Sequence, residues 1–171
     1  MLTPPGAAPA APGSVSLRPA SADDAPFLFA LYASTREAER ALMGWDDATW
    51  SSFLLQQFTA QRDYYRAQYS AAEDFIVVVD GKDVGRFMQC RLTDEMRFMD
   101  IAFLPEFRGR GLGTAVITAM LDAAFQAGLP ASFHVEKTNR AIRLYERLGF
   151  GIVADVGMHY RMERRPPSAV S

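Results

Sequence analysis

A chain of 171 residues with 49% hydrophobic residues and a net charge of −2 has the size and balance of one soluble domain, without the basic excess that nucleic acid or anionic membranes require. The single cysteine, Cys90, closes no disulfide within the chain and supplies no structural zinc site, so no metal is expected and a reduced cytoplasm is the expected compartment. The first thirteen residues lack the features of a secretory leader, and no stretch approaches the roughly 18 apolar residues of a membrane span.

Residues 1–13 and 165–171 hold six of the ten prolines and few branched apolar residues, so both read as disordered tails around one domain at 14–164. The domain opens with Val15 and Leu17 alternating in a short strand that ends at Pro19. A helix starting at Ser21 or Asp23 then carries Phe27, Leu28, Leu31 and Tyr32. Trp50, Phe53, Leu54, Phe58, Tyr65 and Tyr69 recur at three- and four-residue steps and predict a long helix with a broad apolar face. Phe75–Val79 reads as a buried strand, Asp80-Gly81 as a two-residue hairpin turn, and Val84–Leu92 as its partner. A third consecutive strand, Met96–Leu104, stops at Pro105.

Beyond Pro105 the period lengthens, with Leu112, Val116, Ile117, Met120, Leu121, Ala124 and Phe125 on one helical face that ends before Gly128 and Pro130. A short strand over Ser132–Val135 leads to a helix capped by Thr138 or Asn139, with Ile142, Leu144, Tyr145 and Leu148 apolar. Gly151–Met162 fits two short strands broken near Gly157. Strands grouped first and then separated by crossover helices predict an α+β fold with a mixed sheet, the later strands running parallel.

The segment Arg108-Gly-Arg-Gly-Leu-Gly113-Thr114 puts three glycines between the end of a strand and the first turn of a long helix. Glycine there permits positive φ and close ligand approach, so free N–H groups at the helix start face an anion such as a phosphate. A P-loop is excluded because Thr114 is preceded by no lysine, and the glycine spacing departs from a dinucleotide fingerprint.

These residues resemble the GCN5-related N-acetyltransferase superfamily, whose Arg/Gln-x-x-Gly-x-Gly/Ala loop matches Arg108 to Gly113. A second block, Asn139-Arg-Ala-Ile-Arg-Leu-Tyr145-Glu-Arg-Leu-Gly-Phe150, is similar to the Asn…Tyr…Gly-Phe signature of the same family. The resemblance spans about Val15 to Met162. It implies an acetyl-CoA N-acyltransferase fold, with a mixed sheet flanked by helices, and transfer of an acetyl group to a primary amine by direct attack in a ternary complex. It implies that Arg108, Gly109, Arg110, Gly111, Gly113, Thr114 and Asn139 bind the cofactor, and that N–H groups around Ile101 and Phe103 hold the pantetheine arm and thioester oxygen. Tyr145 takes the place of the family's tyrosine, which protonates the departing thiolate. A phenol of ordinary pKa is suited to that.

In the ribosomal-protein branch a glutamate five residues before the motif asparagine acts as base. Here that place holds His134, which shares a strand face with Glu136. A neutral imidazole accepts a proton directly or through water, and Glu136 orients it or acts instead. Asp100 is the next candidate, and His159 reads as structural or substrate-side.

The resemblance implies that the acceptor, a small-molecule or peptide amine, is chosen mainly by the first two helices and the loop joining them, from Tyr32 to about Tyr69, plus the last strands; Arg36, Glu37, Glu39, Trp45, Asp46 and Asp47 cluster in that stretch, either as a solvated helix end or as a site for a cationic amine. Two other classes remain open. One is a non-catalytic CoA-binding sensor or regulatory domain, and the other an interaction module or homodimer using the aromatic helix face.

Overall fold

The computed structural model describes residues 14–168; segments 1–13 and 169–171, expected as parts of the two tails, lie outside the described residues. In chain order the elements are β1 (Val15–Pro19), α1 (Ala25–Ser34), α2 (Glu37–Met43), α3 (Asp47–Gln68), β2 (Ala72–Val79), β3 (Lys82–Arg91), β4 (Met96–Phe103), α4 (Leu112–Gln126), β5 (Ala131–Glu136), α5 (Ile142–Arg147), β6 (Gly151–Val156) and β7 (His159–Arg164). Short 3-10 turns at Ala22–Asp24 and Pro105–Phe107 precede α1 and follow β4. Residues 165–168 have no regular secondary structure.

The strands form one seven-stranded sheet in the order β1-β2-β3-β4-β5-β7-β6. Asp80 and Gly81, at φ 49° and 76°, make the left-handed turn that joins β2 to β3, as a two-residue hairpin requires. The parallel pairing expected of the later strands holds for β4 and β5. It does not hold for β5 and β6 as neighbours, because β7 folds back between them, antiparallel to both.

Burial follows the strand period. Phe75 and Val77 join the main core, while Ile76 between them is equally buried on the opposite face, so β2 is covered on both sides. The main core lies under α4, whose Val116, Ile117, Met120, Leu121 and Ala124 meet Phe87, Phe98, Phe133 and Tyr145. Each large apolar side chain buried there contributes about 1.5–3 kcal/mol. On the other face α1 and α3 pack together through Phe29, Tyr32 and Phe58, with ring centroids 5.5–5.7 Å apart.

α2 lies in what the sequence presents as a joining loop. It buries none of its residues, and Leu42 is 87% exposed, so no core-facing period marks it. α3 starts at Asp47 because Asp46 caps it, accepting from the Thr49 N–H at 2.9 Å.

Candidate active site

The sheet opens at its centre. β4 and β5 are paired only at Met96 with Ala131 and Arg97 with Ser132, and they diverge beyond. A bulge in the β3–β4 ladder, where Met88 faces Asp100 but Gln89 faces Phe98, leaves Met99 as the extra residue and bends β4 away. The Leu104 N–H bonds to the Val84 carbonyl on β3 at 2.9 Å. N–H directions alternate along a strand, so those of Ile101 and Phe103 face the gap.

At the end of β4 the glycine loop turns into α4. Gly109 and Gly111 have φ of 69° and 76°, which other residues adopt only with strain, and a Cβ on either would meet nothing within 4 Å. Gly113 sits inside the first turn of α4, where a Cβ would lie at ordinary contact, 3.7 Å, from Leu144 and Phe103. Among the described residues no backbone N–H from 109 to 114 donates to a protein acceptor; the first bond of the helix is from Ala115 to the Gly111 carbonyl. Six consecutive donors without a protein acceptor, at a helix start with open space beside Gly109 and Gly111, fit a pyrophosphate.

The loop arginines make contacts within the protein. Arg108 is turned back onto the Phe103 carbonyl and onto Ser34 at the end of α1. Arg110 lies over the Phe107 ring, 5.2 Å from its centroid. Thr114 is exposed. Asn139 folds its side chain onto the chain ahead of α5, its Oδ1 accepting from the Ala141 N–H at 2.8 Å, so the expected cap lies one turn before the helix proper.

Tyr145 is buried on the α4 side of the sheet, stacked on Phe133 with centroids 4.4 Å apart. Its hydroxyl makes no hydrogen bond among the described residues. Burial, with a smaller contribution from the Asp100 carboxylate, pushes its pKa up to about 12.

On the other face a cavity of about 410 Å³ lies against the gap. It gathers Asp100, His134, Glu136, Asn139 and His159, so both histidines of the chain line it. His159 pairs with Glu136 across β5 and β7, and His134 with Arg161. Burial and the Arg97 and Arg161 guanidinium groups push the His134 pKa down, which keeps its ring neutral. The two arginines are themselves held by the buried Glu95 carboxylate. Burial pushes the Asp100 carboxyl up, against the pull of Arg86 and with the help of Asp74. His134 and Tyr145 thus stand on opposite faces and share only the gap between β4 and β5.

Sequence reasoning missed Arg86. This 7% exposed arginine donates twice to Asp74, at 2.7 and 2.8 Å, and once to Asp100 at 3.4 Å. Its signal was a lone cation inside the apolar run Val84–Cys90. Of the expected acceptor cluster only Arg36 and Glu39 reach the cavity, paired to each other at 2.7 Å. Asp46 is a helix cap, Asp47 pairs with Arg40, Trp45 packs on Trp50 and Phe53, and Glu37 lies against a separate groove by Phe29.

A family model described as the acetyltransferase (GNAT) family matches residues 39–150. Among solved structures, the PaiA N-acetyltransferase of Thermoplasma acidophilum, in complex with coenzyme A, aligns with a TM-score of 0.69 at 14% identity, over 89% of this chain and 99% of its own. A histone acetyltransferase HPA2-related protein of Corynebacterium glutamicum aligns at 0.65 and 19%, over 92% and 99%. A ribosomal-protein alanine N-acetyltransferase of Escherichia coli aligns at 0.58 and 19%, over 92% and 96%. At these identities the likeness is one of fold.

Proposed function

Because the chain belongs to the acetyltransferase (GNAT) family, which uses acetyl-CoA, we propose that it moves an acetyl group to a primary amine by direct attack in a ternary complex. The observation that carries this reading is the run of unpaired N–H groups over 109–114 beside the β4–β5 gap. Acetyl-CoA supplies an acyl group activated as a thioester, with a thiol as leaving group.

The residues divide the remaining work. N–H groups of the glycine loop and the first turn of α4 neutralise the pyrophosphate, with Gly109, Gly111 and Gly113 giving it room. The Ile101 and Phe103 N–H groups take the pantetheine arm and polarise the thioester oxygen. His134, neutral at pH 7, accepts the amine proton directly or through water, with Glu136 orienting it and Asp100 facing the same cavity. Tyr145, fully protonated at working pH, donates its O–H to the departing sulfur as the new N–C bond replaces the S–C bond. Arg108 supports the loop from behind, Arg110 and Thr114 flank it, and Asn139 shapes the turn that brings α5 to the gap.

The test is calorimetric titration with acetyl-CoA followed by a screen of amines for thiol release. Binding with turnover on any amine supports the proposal. Binding without turnover favours the sensor reading, and absence of binding overturns both.

A further inference from the structure

The cavity at the strand gap adjoins a second one of about 410 Å³ between α3 and the β2–β3 hairpin, and the two share Leu28, Gln61 and Arg86 as lining. The two ends of this cleft differ in charge. At the gap end stand the carboxylates Asp100, Glu136 and Glu39, against Arg36 and the inner arginine, Arg86. At the far end the only carboxylate among the described lining residues is Asp74, and Arg86 already holds it with two hydrogen bonds. On the wall there stand Arg62 and Arg66, one helical turn apart on α3: Arg62 has only its sequence neighbour Asp63, at 4.0 Å, and the ring of Phe58 beside it, and the exposed Arg66 has no carboxylate partner among the described residues.

Neither arginine is satisfied by the protein. Arg62 Nε is buried without a hydrogen-bond partner, its nearest carboxylate, on Asp63, lying 4.0 Å away. Arg66 makes no hydrogen bond or ion pair with any described residue. A buried donor left unpaired is costly, and a guanidinium pairs best with a carboxylate or phosphate. Tyr65 and Phe58 add apolar surface to the same wall, and Arg62 lies over the Phe58 ring at 5.9 Å from its centroid.

We propose that the acceptor is a zwitterionic amine, whose amino group reaches Asp100 at the gap while an anionic group at its other end is bound by Arg62 and Arg66. The inference rests on the acetyl-transfer reading of the site and adds its substrate class. Carboxylate and phosphate share the required chemistry.

The test measures kcat/KM with acetyl-CoA for matched pairs: aminohexanoate against hexylamine and diaminohexane, and aminopropyl phosphate against propylamine. The anionic member of at least one pair is expected to be preferred by about tenfold or more, the size of one charge-assisted hydrogen bond. The pair that shows it identifies the anion. In Arg62→Gln/Arg66→Gln, and in part in Arg66→Gln alone, that preference falls toward one through a higher KM, with the far-ultraviolet circular dichroism retained. Equal or better use of hexylamine or diaminohexane, or a preference that survives both substitutions, overturns the proposal. If no amine is acetylated, the acetyl-transfer reading fails by itself. Calorimetric binding of aminohexanoate and aminopropyl phosphate to the CoA-saturated protein then decides: binding lost in the double variant supports the anion site, and equal or absent binding overturns it.

Discussion

Arg108 clasps Ser34. Its Nη2 donates to the Ser34 hydroxyl at 3.0 Å and to the Ser34 carbonyl at 3.3 Å, while Nε donates to the Phe103 carbonyl at 2.8 Å. One side chain therefore ties the end of α1 to the end of β4 and to the start of the glycine loop. In the proposed function its contribution to cofactor binding is to hold the loop in shape. Arg108→Ala is expected to lose about 0.5–1.5 kcal/mol of stability and to weaken acetyl-CoA binding several-fold. Ser34→Ala is expected to reproduce part of both effects. A calorimetric titration in which Ser34→Ala binds like wild type, while Arg108→Ala does not, would show Arg108 acting on the phosphates directly.

Gly111 sits at φ 76° with open space where a Cβ would project. Gly111→Trp is expected to fold, at a strain cost of about 1–2 kcal/mol, and to lose acetyl-CoA binding because the indole fills the open space beside the proposed pyrophosphate donors. Undiminished affinity by calorimetry would place the pyrophosphate elsewhere.

Asp100 is held where its charge costs stability. Its folded pKa is raised, so its contribution to stability is fully present below the ordinary carboxylate pKa of about 4 and is lost as pH rises through the folded value. Asp100→Asn is accordingly expected to raise Tm at pH 7.5, with the difference shrinking as pH falls toward that range. Thermal melts across pH check this, and a lower Tm for the variant at pH 7.5 would contradict it.

His134 has the opposite sign. Its folded pKa is lowered, so its stabilisation is present above the ordinary value of about 6.5 and is lost as pH falls through the folded one. As the proposed base it is expected to set the acid limb of kcat/KM below about 6.5. His134→Ala is expected to cost about 10²–10⁴ in kcat and to abolish that limb. A limb that survives in His134→Ala and vanishes in Asp100→Asn would transfer the role to Asp100.

Tyr145, the proposed proton donor, makes ring contacts but no hydrogen bond among the described residues. Tyr145→Phe is expected to keep Tm and acetyl-CoA affinity near wild type while kcat falls about a hundredfold. Equal losses in stability and rate would mark the hydroxyl as structural.

The strands, the long helices and the glycine loop were legible in the chain because local rules dictate them: periods of two and 3.6, a left-handed turn at Asp80-Gly81, positive φ at Gly109 and Gly111. The two motif blocks, from Arg108 and from Asn139, were likewise local. What needed the tertiary structure joins residues far apart in sequence. The bulge at Met99 opens β4 from β5, β7 inserts between β5 and β6, and only then do Asp100, His134, Glu136 and His159 face one cavity. Arg108 finds Ser34 across 74 residues, and Arg86 finds Asp74 on the neighbouring strand. Hydrophobic patterning specifies which face of an element is buried, but sheet order and register decide which polar side chains meet.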